Sequence, residues 1–168
     1  MRMFQIKSAQ KAGMAPGHLV HLGEKKTRAI SINQIKYHAD GFEEAIISPN
    51  TDFTAISRMS GVTWLDISGV HDIHLVESIG KVFNIHPLIL EDIVHTGHRP
   101  KMETHDNFLF VVLRMLAWDE TRDEISSEQI SFVMGKKWLL TFQERPGDVF
   151  EPIRERLRTG TYRISGND

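Results

Sequence analysis

The segment HPLILEDIVHTGHRPKME, from His86 to Glu103, gathers many of the side chains in this sequence that could do chemistry. Glu91 and Asp92 stand side by side at the end of an apolar stretch, and His95, His98, Arg99 and Lys101 follow. Adjacent carboxylates supply hard oxygen ligands of the kind that hold Mg²⁺ partly through water. On a helix, however, neighbours project about 100° apart, so the pair cannot easily clamp one ion. It suits two ions, or one ion shared with another chain. The plain alternative is a solvated helix face. His95 and His98 are three apart, ligand spacing on a helix, but Gly97 is expected to end that helix between them. His71 and His74 repeat the spacing at the start of an earlier helix. Zinc would need a third ligand and an outer shell of partners, and no HExxH motif is present. His98 to Lys101 could bind an anion, although Pro100 makes an extended connection into a strand the simpler reading, with Arg99 paired to a carboxylate.

Other chemistries find no footing. There is no GxxxxGK[ST], no GxGxxG and no GxSxG, so the expectation is a protein that is not an enzyme. Cysteine is absent, which excludes disulfides, thiolate metal sites and cysteine nucleophiles. A net charge of -2 with 25% charged residues gives no basic excess for nucleic acid. The N-terminal MRMFQIKSAQKAGMAPG lacks a signal-peptide apolar core. The longest apolar run, FLFVVL at Phe108 to Leu113, is strand-sized, far below the roughly 20 residues of a membrane span.

The elements that must carry these residues follow from pattern. Residues 1–15 are expected to be a flexible leader and 16–168 one domain. AISINQIKYH and FEEAIIS read as paired strands across a turn at Ala39-Asp40-Gly41, and VTWLDIS as a third strand. Asp72 starts a helix whose apolar face is Leu75, Val76, Ile79, Val82 and Phe83, ended by Asn84. A second helix starts with Pro87 in its first turn. Leu88, Leu90 and Ile93 on it do not share a stripe, so it is expected to be buried on more than one side. NFLFVVLRMLAW, nearly continuous in apolar residues, reads as a central strand covered on both faces. ISSEQISFVMG and KKWLLTFQE follow, joined at Gly135-Lys136, and DETRDE before them is a solvated hairpin loop. Arg114 needs a partner, and Glu128 on the next strand is expected to supply it. A last helix in GDVFEPIRERLR should present Val149, Phe150, Ile153 and Leu157 on one face. The fold class is α/β, with a mixed, partly antiparallel sheet.

The series VTWLDISGVHDIHLVESIGKVFNIHPLILEDIVHTGHRPKME, with PGHLVHLGEKKT before it and NFLFVVLRML, SSEQISFVMG and LLTFQERPGDVFEPIRERLR after it, resembles the N-terminal cytosolic domain of the CorA family of magnesium and cobalt transport proteins. The resemblance runs over about residues 16–168 and implies an α/β/α sandwich. It also implies a homopentameric channel in the membrane whose long helix, two membrane spans and Gly-Met-Asn pore signature do not occur in this sequence. By resemblance, Glu91 and Asp92 are half-sites for a regulatory divalent cation bound between subunits, with His95 and His98 as accessory candidates. Mg²⁺ would be both effector and transported ion, with Co²⁺ or Ni²⁺ as further candidates. The membrane would be reached only through helices beyond this sequence, leaving the domain at the cytoplasmic face. Three alternatives stay open: a ZntB-like zinc transporter domain, a soluble metal-dependent hydrolase built on Glu91, Asp92, His95 and His98, and a plain interaction domain that binds no ion.

Overall fold

A computed structural model describes residues 18–38, 41–57, 60–121, 123–147 and 149–159; the leader expected at residues 1–15 lies outside them. Seven strands form one sheet: β1 Ser31–His38, β2 Gly41–Ile47, β3 Val62–Ser68, β4 Lys101–Thr104, β5 Phe108–Asp119, β6 Glu124–Gly135 and β7 Trp138–Gln143. Their order across the sheet is β2-β1-β3-β7-β6-β5-β4. Every pair is antiparallel except β3 with β7, so the sheet is mixed. The helices are α1 Phe53–Ser57, α2 Ile73–Val82, α3 Pro87–Val94 and α4 Glu151–Arg158.

Strand alternation splits the core in two. Ile32, Leu65, Ile67, Phe110, Val112, Val133, Leu140 and Phe142 pack with α1, α2 and α3 in the larger cluster. Ile35, Trp64, Ile130 and Phe150 form the smaller one on the opposite face, where α4 lies. The result is an α/β/α sandwich with an uneven division of apolar burial.

The helices α2 and α3 position the carboxylates. The Asp72 carboxylate caps α2 by accepting the Leu75 N–H at 3.0 Å, as an N-cap aspartate should. Asn84 turns the chain at φ 53°, a left-handed conformation asparagine tolerates. Pro87 opens α3 at a position where its missing N–H is no loss. A close approach of the two helices depends on Gly80, because a Cβ there would overlap the Leu90 methyl groups.

Four sequence expectations change. α3 ends at Val94, three residues before Gly97, because a 21–96 tie takes over. Thr96 N–H donates to Leu22 O at 3.1 Å, and His21 Nδ1 lies 3.0 Å from Val94 O. Nor is α3 buried on several sides: Ile89, Leu90, Ile93 and Val94 are buried, while Leu88 is exposed. β5 is not central but second from the edge, and β4 covers it only from Leu109 to Val112. Its far half, with Leu113, Leu116 and Trp118, is exposed beside Ile125 of β6. Of the face expected on the last helix, Phe150 is buried and Leu157 packs beside it, but Val149, just before α4, and Ile153 are exposed, and the buried side chain within α4 is Arg154. Among the described residues, no helix is long and apolar enough to cross a membrane.

Candidate functional site

Asp92 sits in the last turn of α3 and is bonded on both oxygens. Its Oδ2 accepts from Lys101 Nζ at 2.6 Å, and its Oδ1 is 2.9 Å from His98 Nε2. Burial alone would raise the Asp92 pKa. The hydrogen bonds and charges of His98 and Lys101 outweigh it and hold the carboxyl below the ordinary carboxylate value. Lys101, at the start of β4, bridges to a second carboxylate, Glu103 Oε1, at 2.8 Å. Burial opposes its charge too, but Asp92 and Glu103 more than compensate and raise its pKa. Its ammonium also lies 5.3 Å from the centre of the buried Phe110 ring. Glu91, one residue before Asp92, is partly exposed, and its carbonyl closes the helix by accepting the His95 N–H at 3.0 Å.

The turn after α3 brings the two histidines together without a helix. His95 Nδ1 and His98 Nε2 are 3.0 Å apart, with ring centres at 4.4 Å. His98 Nε2 thus lies within hydrogen-bond distance of both Asp92 Oδ1 and His95 Nδ1. The expected break thus lies before His95, and it joins the rings rather than separating them. The turn itself is clamped from the sheet. Gln129 of β6 donates to Asp92 O at 3.0 Å and accepts the His98 N–H at 3.2 Å. Arg114, paired across the strands with Gln129, donates to Thr96 O at 2.7 Å and twice to His98 O, at 3.2 and 3.0 Å.

Arg114 therefore does not pair with Glu128. It satisfies the carbonyls left open by the turn, while Glu128 receives Arg145 at 3.2 Å. Arg99 is exposed, with no ion pair among the described residues. Lys101, already neutralised by two carboxylates, is not available to an anion. His74 is exposed beside Glu77, and His71 approaches His21 rather than His74. Among the described residues no group of three or more histidine and acidic side chains could hold a metal. Lys101 stood out in the sequence as a possible anion ligand and Arg114 as needing a partner, but their bonds to Asp92 and its turn, and the parts of Glu103 and Gln129, did not. The one available signal was the proximity of Lys101 to Asp92 across a short turn.

A family model described as "CorA-like Mg2+ transporter protein" matches residues 59–167, well over half of the chain. The chain belongs to that family. It is 38% identical over 156 residues to the cobalt/magnesium transport protein CorA of Thermotoga maritima, covering 93% of this chain and 44% of that one. With a putative metal ion transporter, YfjQ, of Bacillus subtilis it is 30% identical over 96 residues, covering 56% of this chain and 28% of that one. The chain thus spans less than half the length of these relatives. Among solved structures, the soluble domain of CorA from Methanocaldococcus jannaschii superposes at TM-score 0.52 with 12% identity, over 78% of this chain and 46% of that one. The ZntB cytoplasmic domain from Vibrio parahaemolyticus gives 0.55 with 11% identity, over 76% and 49%. Both share the fold of this CorA-type domain. The matched region takes in β3 to α4, and so the whole cluster around Asp92.

Proposed function

We propose that this chain is the cytoplasmic ion-sensing domain of a CorA-type Mg²⁺/Co²⁺ transporter, and that Glu91 and Asp92 form its half of a regulatory site for a divalent cation. The supporting observation is Asp92 itself, a partly buried carboxylate held ionised at the end of a helix in a member of this family. Its oxygens, with Glu91 beside it, have the hardness Mg²⁺ requires. Among the described residues there are too few ligands to enclose an ion, so in this reading the remaining ones come from a second copy or from water. A cation shared between copies would offset the repulsion of their facing carboxylates and favour a closed ring, a homopentamer by family resemblance. Its removal would shift the population toward open forms. The effector acts only through its difference in affinity for the two states. In this reading His98 holds and orients Asp92, His95 abuts His98, and neither ligates.

The test measures Mg²⁺ inhibition of flux in the membrane-embedded transporter carrying this domain, with Glu91→Gln and Asp92→Asn. Loss of closure by Mg²⁺ at unchanged expression supports the assignment. Inhibition at the same Mg²⁺ concentration as the parent rejects it.

A further inference from the structure

We propose that Lys101 is a built-in competitor for the regulatory cation, setting how strongly Asp92 binds divalent ions and keeping monovalent ions away. This rests on the reading of Asp92 as half of an ion site. Lys101 Nζ contacts Asp92 Oδ2 at 2.6 Å and Glu103 Oε1 at 2.8 Å, so one ammonium bridges two carboxylates. Lys101 and Glu103 alternate along β4 on the face turned toward α3, and the Lys101 side chain passes along Phe110. The arrangement neutralises Asp92 when no ion is bound. An arriving cation must take Asp92 Oδ2 from the lysine, and Glu103 then keeps the displaced ammonium paired.

The competition separates ions by charge. Na⁺ or K⁺ brings one positive charge, which Lys101 already supplies from a tethered position at high effective concentration. A divalent ion brings twice the attraction to the same carboxylate at a given distance. Only the divalent ion gains by exchange. Lys101 therefore weakens absolute affinity, moving the response toward the cation concentrations at which a sensor is useful, and excludes the abundant monovalent ions. Glu103 acts in the opposite direction, because without it the displaced lysine returns to Asp92.

The experiment measures the Mg²⁺ midpoint for inhibition of flux in the membrane-embedded transporter carrying this domain, with and without K⁺. Lys101→Met keeps the packing on Phe110 and removes the charge. It should lower the Mg²⁺ midpoint about tenfold, about 1.4 kcal/mol, and make that midpoint sensitive to K⁺. Glu103→Gln should raise the midpoint several-fold, Lys101→Arg should stay within about twofold of the parent, and Asp92→Asn should abolish the response. Unfolding midpoints in ion-free buffer check that each variant is folded; Glu103→Gln and Lys101→Arg carry the comparison if Lys101→Met does not fold. If Asp92→Asn abolishes the response but Lys101→Met and Glu103→Gln leave it unchanged, the competitor role is overturned and the ion-site reading stands. If the parent transporter is not inhibited by Mg²⁺, or Asp92→Asn responds as the parent does, the ion-site reading falls and the competitor role with it.

Discussion

Arg154 of α4 donates from Nη1 to Asp66 Oδ2 of β3 at 3.2 Å, and both side chains are buried. Asp66 Oδ1 also accepts from the Thr141 hydroxyl at 2.6 Å and from Gln143 Nε2 at 2.8 Å. Thr141 in turn accepts from the Trp64 indole at 3.0 Å. On its other side Arg154 meets Glu151 at 2.8 Å and Glu44 at 3.7 Å. Arg158 extends the network to Glu44, Glu151 and Glu155. The last helix is thus fastened to the sheet largely by charge, where the α2 and α3 face uses hydrocarbon.

Arg154→Met should destabilise the chain by about 3–5 kcal/mol, since it leaves the Asp66 carboxylate buried without its cation. Adding Asp66→Asn should recover part of the loss, because an amide can keep Thr141 and Gln143 as partners without a buried charge. Urea unfolding of both variants checks this. A loss below about 1 kcal/mol for Arg154→Met would mean the pair is open to water.

Arg114→Met removes three hydrogen bonds to the carbonyls of Thr96 and His98. Unpaired, partly buried carbonyls cost about 1–3 kcal/mol. Hydrogen exchange should quicken in residues 95–99 more than in β6 or β7. Uniform acceleration would show that Arg114 supports the fold generally rather than the turn that holds His98.

The sequence showed β3 with its true limits and both helices of the site because alternation and a capped apolar stripe are local signals. Helix α1 has five residues, too few for a period to emerge, and β4, KMET, pairs through its backbone with no apolar pattern of its own. The apolar run in β5 carried no information about which half the neighbouring strands would cover. Arg114 was recognised as needing a partner, but main-chain acceptors in a turn 16 to 18 residues away leave no mark in side-chain composition. Likewise Glu91 and Asp92 were legible as a pair. What Asp92 bonds to depended on where α3 stopped, and the tie to Leu22 decides that.

Gly80→Ala tests how far α3, and with it Asp92, is placed by helix contact. The added methyl meets Leu90, which is itself buried. Overpacking of this kind costs about 1–3 kcal/mol. Leu90→Ala alone opens a cavity and is expected to lose about 2–5 kcal/mol. The double variant should lose less than the sum of the two, because the methyl fills part of the space. Additive losses, measured by thermal unfolding, would place the two residues out of contact.

Asp66 and Asp92 should respond to pH with opposite signs. The Asp92 pKa is lowered by His98 and Lys101 against the effect of burial, so between its folded value and about 3.9 the unfolded chain holds more protons. Its stabilising contribution is complete above the unfolded value and is lost as pH falls through the folded one. Burial raises the Asp66 pKa, and Thr141, Gln143 and Arg154 do not fully offset it. Above about 3.9 the folded chain therefore holds the extra proton, and rising pH removes stability until the folded value is passed. Unfolding free energies of the parent minus each Asp→Asn variant, measured by urea at pH 3 to about 7, give the two slopes. The Asp92 difference should rise with pH over the acid end of the range, while the Asp66 difference should fall from about pH 4 upward. A rising Asp66 curve would show that Arg154 overcomes burial. A flat Asp92 curve would show that Lys101 and His98 are not held against it in solution, which would also remove the basis for the lysine's competition with a bound cation.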